Sequence, residues 1–280
     1  MNQRQAKEHR STAPVVQMRN IEKRYGQVTV LRGMSLDLFK GEAVGIVGDN
    51  GAGKSTLVKI LCGAVQPSAG EIHLEGRPVK FNSPHEARLS GIEIVYQDLA
   101  VIGHLTVTQN VFLGREETMR ILGIKVLDNR KMETAARKLI SVLDPVLENR
   151  TRVSVDSLSG GQKQSVAVAR AMAFGPKVMI LDEPTAALSV EKIERMLGLI
   201  RTLKESGLAV ILISHRLQDI MTVCDRVIVM KSGSLVRDLN VGTTDIDEIV
   251  RLMVSGGEMG AVPKAAGAAW PDHPAPGSAA

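Results

Sequence analysis

The chain has 280 residues, 44% of them hydrophobic but only 2% aromatic, and a formal charge of +5. That is enough apolar material for one large core of Val, Ile, Leu, Ala and Met, a composition that suits helices packed on a buried parallel sheet. The charge excess is modest and no aromatic residues interleave with the N-terminal basic ones to stack on bases, so no nucleic-acid partner is expected.

Residues 1–14 are polar, lack the apolar core of a secretory signal, and are expected to be disordered. The stretches 15–19, 30–39 and 43–47 carry β-branched or alternating apolar residues punctuated by Gly26, Gly33 and Gly41, and read as strands. A glycine-rich turn over 48–53 leads into helical spacing through Leu57, Ile60 and Leu61. Short strands are expected at 71–75 and 78–81, then a helix with Ser83 as N-cap and Pro84 in its first turn, closing near Gly91, and a buried strand at 92–96. From 99 to 156 no strong strand is expected, whereas 107–113 and 131–143 have helical spacing; an inserted helical subdomain is placed at about 98–170. The last third alternates, with helices at 161–174, 190–205 and 217–223 and strands at 178–181, 209–213 and 226–230, the pattern of parallel crossovers. Beyond Gly256 the chain is rich in Ala, Gly, Pro and Ser, and 256–280 is expected to be a disordered tail. Cys62 and Cys224 stand far apart in apolar segments, as buried small hydrophobes rather than metal or redox ligands, and no stretch approaches the roughly 20 apolar residues that span a bilayer.

Gly48-Asp49-Asn50-Gly51-Ala52-Gly53-Lys54-Ser55 fits the P-loop pattern and stands between a strand and a helix, the setting its chemistry requires. Glycines let the backbone curl so that N–H groups face inward, and the helix N-terminus adds partial positive charge, making a cradle for phosphate oxygens. Lys54 is placed to reach the β and γ phosphates, and the Ser55 hydroxyl is a suitable oxygen ligand for Mg²⁺. The buried strand at 178–181 ends in Asp182-Glu183, two adjacent carboxylates that are costly unless positive charge sits nearby; Asp182 is assigned to the metal and Glu183 to polarising the attacking water.

Leu158-Ser159-Gly160-Gly161-Gln162, about twenty residues before the acidic strand, resembles the signature pentapeptide of ABC ATPases. Tyr25 matches that family's adenine-stacking aromatic, Gln97 its Q-loop glutamine and His215 its switch histidine, and the order of all these motifs reproduces the family arrangement across 15–230. The resemblance implies an α/β fold, with a RecA-like P-loop NTPase core, an N-terminal antiparallel β-subdomain and an inserted α-helical subdomain, forming one nucleotide-binding domain over 15–255. It implies ATP and Mg²⁺ as cofactors, Gly48 to Thr56 around the phosphates, and Gln97 sensing the metal and nucleotide beside the contact with a membrane subunit. It also implies that His215 bonds the γ-phosphate and that Ser159, Gly160, Gly161 and Gln162 cap ATP held by the opposite subunit. The expected assembly is therefore a homodimer beneath an integral-membrane permease, on the inner face of the cell membrane. One departure is visible: Ala186-Ala187-Leu188 is followed by Ser189 where the family's D-loop commonly has Asp, which puts the usual polar contact across the dimer in doubt.

Finer wording resembles the ATPases of monosaccharide importers of the ribose, xylose and fructose kind: Phe81-Asn82-Ser83-Pro84-His85-Glu86-Ala87, Tyr96-Gln97-Asp98-Leu99-Ala100, Phe112-Leu113-Gly114-Arg115-Glu116 and Asp182-Glu183-Pro184-Thr185. With one cassette rather than two, the chain resembles the single-cassette branch, which implies a periplasmic sugar-binding protein as an indirect partner. An export or lipid-transport cassette, an ABC ATPase acting on nucleic acid or ribosomes, and an ATP-holding module without turnover are the alternative readings.

Overall fold

The computed structural model describes residues 13–96, 100–186 and 189–256. β1 (Val16–Tyr25) and β2 (Val28–Leu38) form an antiparallel hairpin, and β3 (Ala43–Val47) runs through the phosphate-loop sequence into α1 (Lys54–Leu61). β4 (Ala69–Leu74) and β5 (Arg77–Val79) complete the first sheet, antiparallel throughout, in the order β2-β1-β4-β5. Next, α2 (Pro84–Leu89) starts where the Ser83 hydroxyl accepts the Glu86 N–H, and β6 (Ile92–Val95) follows. The insertion carries α3 (Val107–Val111), a hairpin of β7 (Thr118–Ile121) and β8 (Ile124–Leu127), and α4 (Asn129–Leu143). After it come α5 (Gly160–Met172), β9 (Val178–Asp182), α6 (Val190–Glu205), β10 (Ala209–Ile213), α7 (Leu217–Val223), β11 (Arg226–Lys231), β12 (Ser234–Asn240) and α8 (Ile246–Ser255).

The second sheet has the order β12-β11-β3-β10-β9-β6, parallel except for β12 at its edge. Its strands read as continuous apolar runs because both faces are covered. Along β10, Ala209, Ile211 and Ile213 join the core shared with α1 and the antiparallel sheet, while Val210 and Leu212 join the core beneath α5, α6 and α7. A third cluster, with Val107, Val111, Met132, Ala136, Ile140 and Val166, fills the insertion, so that part has apolar packing of its own. No described helix is long and apolar enough to cross a membrane.

Three elements depart from the sequence reading. β12 and α8 continue the chain past 230, and the β7–β8 hairpin stands where no strand was expected. The hairpin turns on Leu122-Gly123, both with positive φ (49° and 84°), a backbone usually signalled by Asn-Gly or Asp-Gly.

Candidate active site

Strand register brings the motif residues to one edge. Ile213 pairs with Asp182 on one side, and on the other with Ile46, two residues before Gly48. The C-terminal ends of β3, β9 and β10 therefore present the glycine loop, the acidic pair and His215 together, where ligands bind in open parallel sheets.

The glycine loop is shaped by contacts that a side chain would break. A Cβ on Gly48 (φ 151°) would lie 2.3 Å from the Met230 carbonyl oxygen, and one on Gly53 (φ 99°) would lie 2.7 Å from a Leu31 methyl. Gly48→Ala is expected to cost about 3 kcal/mol, because the clash is with backbone and cannot be relieved by a rotamer change. A denaturant melt tests this; an unchanged midpoint would mean the loop is not held in this form. Gly53 is the N-cap of α1, placing Lys54, Ser55 and Thr56 in its first turn. Asn50, Gly51 and Ser55 are exposed while Ala52 is buried.

The Lys54 ammonium donates to the carbonyls of Gly48 (2.6 Å) and Asp49 (3.0 Å). Partial burial lowers its pKa, opposed by the charges of Glu183, Asp49 and Asp182. The same field acts in reverse on Asp182, whose carboxyl is raised by burial and then by Glu183, against the pull of Lys54 and Lys59. Asp182 and Glu183 are adjacent carboxylates in the field of Lys54, and Ser55, next to Lys54 in the first turn of α1, is exposed. This all-oxygen donor set fits a hard divalent cation. Among the described residues no three His, Cys, Asp or Glu side chains cluster to cage a metal, so such an ion would draw its remaining ligands from phosphate oxygens and water.

Glu183 adopts a left-handed backbone (φ 52°), its N–H bonds the Ile213 carbonyl at 2.9 Å, and its Oε2 lies 2.5 Å from Nδ1 of His215. The turn after β9 is braced by residues that sequence reasoning missed. The Gln164 amide of α5 donates to the Pro184 carbonyl at 2.5 Å, and the Thr185 hydroxyl to the buried Asp219 carboxylate at 2.6 Å. Arg216, next to His215, pairs with that same carboxylate at 3.2 Å. The one signal for Gln164 in sequence was its place on a helix whose other buried residues are Val and Ala with a single serine, Ser165.

Ser159 caps α5 in a reciprocal box: its hydroxyl accepts the Gln162 N–H, and the Gln162 side chain accepts the Ser159 N–H at 3.0 Å. Gly160 has open space where a side chain would stand. α5 packs on β6, which stands three strand positions from β3 in the sheet. Tyr25, at the end of β1, is 47% exposed, with the Lys23 ammonium 4.9 Å from its ring centre. Gln97 lies outside the described residues.

The match to the ABC transporter family covers residues 31–186. The chain belongs to that family. It is 44% identical over 248 residues to the fructose import ATP-binding protein FrcA of Rhizobium meliloti, covering 88% of this chain and 95% of that one. It is 42% identical to the xylose/arabinose import ATP-binding protein XylG of Sulfolobus acidocaldarius, covering 86% and 94%. Against the ribose import ATP-binding protein RbsA of Geobacillus kaustophilus it is 40% identical over 86% of this chain, and there it spans about half of the relative's length (48%). Among solved structures, the ADP conformation of MJ1267, an ATP-binding cassette of an ABC transporter, superposes with a TM-score of 0.73 at 26% identity, covering 87% of this chain and 96% of that one. As an ABC cassette the chain is a nucleotide-binding ATPase, and its parallel-sheet core with the glycine loop at the strand ends is the family's ATPase fold.

Proposed function

We propose that this chain energises import of a monosaccharide, two copies closing on two Mg·ATP beneath a permease. The observation that carries this reading is the 44% identity along 95% of a single-cassette relative named for fructose import. A second neighbour, the dimeric post-hydrolysis form of MJ0796 bound to ADP and Pi, supports pairing of two such chains; it is 26% identical with a TM-score of 0.66, covering 81% of this chain and 98% of that one.

In this reading Tyr25 stacks on adenine, and the loop from Gly48 to Thr56 wraps the phosphates, with Lys54 turned from its own loop carbonyls toward them. Ser55 and Asp182 would hold Mg²⁺, with Gln97 assigned to the same ion on sequence grounds, and an ion held there would supply positive charge against the negative charge on the phosphoryl oxygens. Glu183 accepts the proton of the attacking water while His215 bonds the γ-phosphate, and Ser159 to Gln162 cover the nucleotide of the partner copy. The nucleotide-binding domain is taken as 15–255 with its helical subdomain at about 98–170, a division supported by the separate apolar cluster there.

A cavity of about 260 Å³ is lined by Tyr96 and Ala100, and its wall also holds Arg88, Glu93, Arg115 and Phe174. Glu93 is buried, which raises its carboxyl against the pull of Arg88 and Arg115, at 3.4 and 3.3 Å. We assign this groove to the permease, which sets the chain on the inner face of the membrane. Uptake of radiolabelled fructose, ribose and xylose by cells with and without the chain tests the function. Loss of ATP-dependent uptake for one of them is expected; unchanged uptake of all three sinks the sugar reading.

A further inference from the structure

The β7–β8 hairpin is exposed on both faces, since every residue of both strands is open to solvent. Its pairing, Met119 with Val126, Arg120 with Lys125 and Ile121 with Ile124, sorts the side chains by alternation. One face carries Met119, Ile121, Ile124 and Val126, and the turn adds Leu122, which is 97% exposed. The other face carries Arg120 directly opposite Lys125, with Thr118 opposite Leu127 at the end of the hairpin away from the turn.

Three features of this hairpin are unfavourable in water. A two-stranded hairpin with both faces open to solvent is marginal. Like charges directly opposite each other destabilise a strand pair. At the tip, Leu122 holds a left-handed backbone (φ 49°) that Asn or Gly adopts at lower cost, while contributing only apolar surface to solvent. Nearby carboxylates do not relieve the cations. Glu117 pairs with Lys131 at 2.8 Å, Asp128 caps α4 through the Lys131 N–H, and Glu116 accepts the Gly114 N–H. Among the described residues, neither Arg120 nor Lys125 is paired with an acid.

We infer that this hairpin is a membrane-surface anchor, seating Leu122 and the apolar face at the acyl boundary while Arg120 and Lys125 bind anionic headgroups. An apolar surface with basic residues behind it is the pattern of interfacial segments, and an anion between the two cations turns their repulsion into attraction. The anchor is separate from the Lys54 site and holds whatever the transporter carries. It would add a lipid contact to whatever hold the permease provides.

Co-sedimentation of the full chain with vesicles tests this, using phosphatidylcholine alone or mixed with phosphatidylglycerol. The wild type is expected to bind the anionic vesicles selectively and to be released by salt. Arg120→Gln with Lys125→Gln should weaken binding roughly twenty-five-fold, about fivefold per charge. Leu122→Asp should weaken it at least tenfold, with ATP hydrolysis unchanged in both variants as the control for folding. Failure of the wild type to bind, or variants that sediment like it, would overturn the anchor. So would variants that keep lipid binding but lose the permease, because the hairpin would then be a protein contact.

Discussion

Glu183→Gln is expected to lower steady-state ATP turnover by about two to four orders of magnitude while leaving nucleotide binding intact. In the proposed reaction a water oxygen attacks the γ-phosphorus, the bond to the bridging oxygen breaks, ADP leaves with the electron pair, and the water's proton passes to Glu183. Glutamine keeps the size of the side chain and an oxygen that accepts from Nδ1 of His215, which lies 2.5 Å away, but it takes no proton. The backbone around it is fixed from elsewhere, by the bond from the Glu183 N–H to Ile213 and by the anchored carbonyl of Pro184. Removing the charge also removes the second largest cause of the raised Asp182 pKa, so the carboxylate form of Asp182 is disfavoured less than before. Binding of a fluorescent ATP analogue alongside phosphate release separates the two effects. Turnover near the wild-type rate would remove Glu183 from the role of base. Loss of binding together with turnover would show that the residue is structural.

How much of this was legible in the sequence follows from where each signal originates. β3, β9 and β10 were read nearly to the residue because both faces of these strands are buried, which leaves uninterrupted runs such as Val178-Met179-Ile180-Leu181. α2 was legible through local cap chemistry, Ser83 as its N-cap and Pro84 in its first turn, and the longer helices through the spacing of their apolar residues. β12 is half-exposed and its pairing with β11 shifts between Val229 and Met230, so neither a buried run nor clean alternation marks it. The β7–β8 hairpin escaped for a different reason: Leu stands where a positive φ would ordinarily select Asn or Gly, so the turn carries half of its usual signal. The motif residues were legible one by one, but their assembly was not. Parallel register, with Ile213 beside both Asp182 and Ile46, brings Lys54, Glu183 and His215 to one edge, and the Gln164 to Pro184 link that ties α5 to the acidic turn depends on that packing.

Ser159→Asp is expected to abolish nucleotide-driven dimerisation and to lower hydrolysis at least a hundredfold without unfolding the chain. Aspartate caps a helix as well as serine does, and a carboxylate at the N-terminus of α5 is favourable for the isolated helix, so stability should hold. The same carboxylate would face the triphosphate of the partner copy, and like charges brought together at an interface cost several kcal/mol. α5 packs over β6, three strand positions from β3, and the substitution leaves the glycine loop and Lys54 unchanged, so each monomer should still bind ATP. The cleanest measurement is light scattering with Mg·ATP in the Glu183→Gln background, where hydrolysis does not dissolve the complex. There the single variant should run as a dimer and the double variant as a monomer with nucleotide bound. A double variant that still dimerises would mean that Ser159 meets no phosphate across the interface.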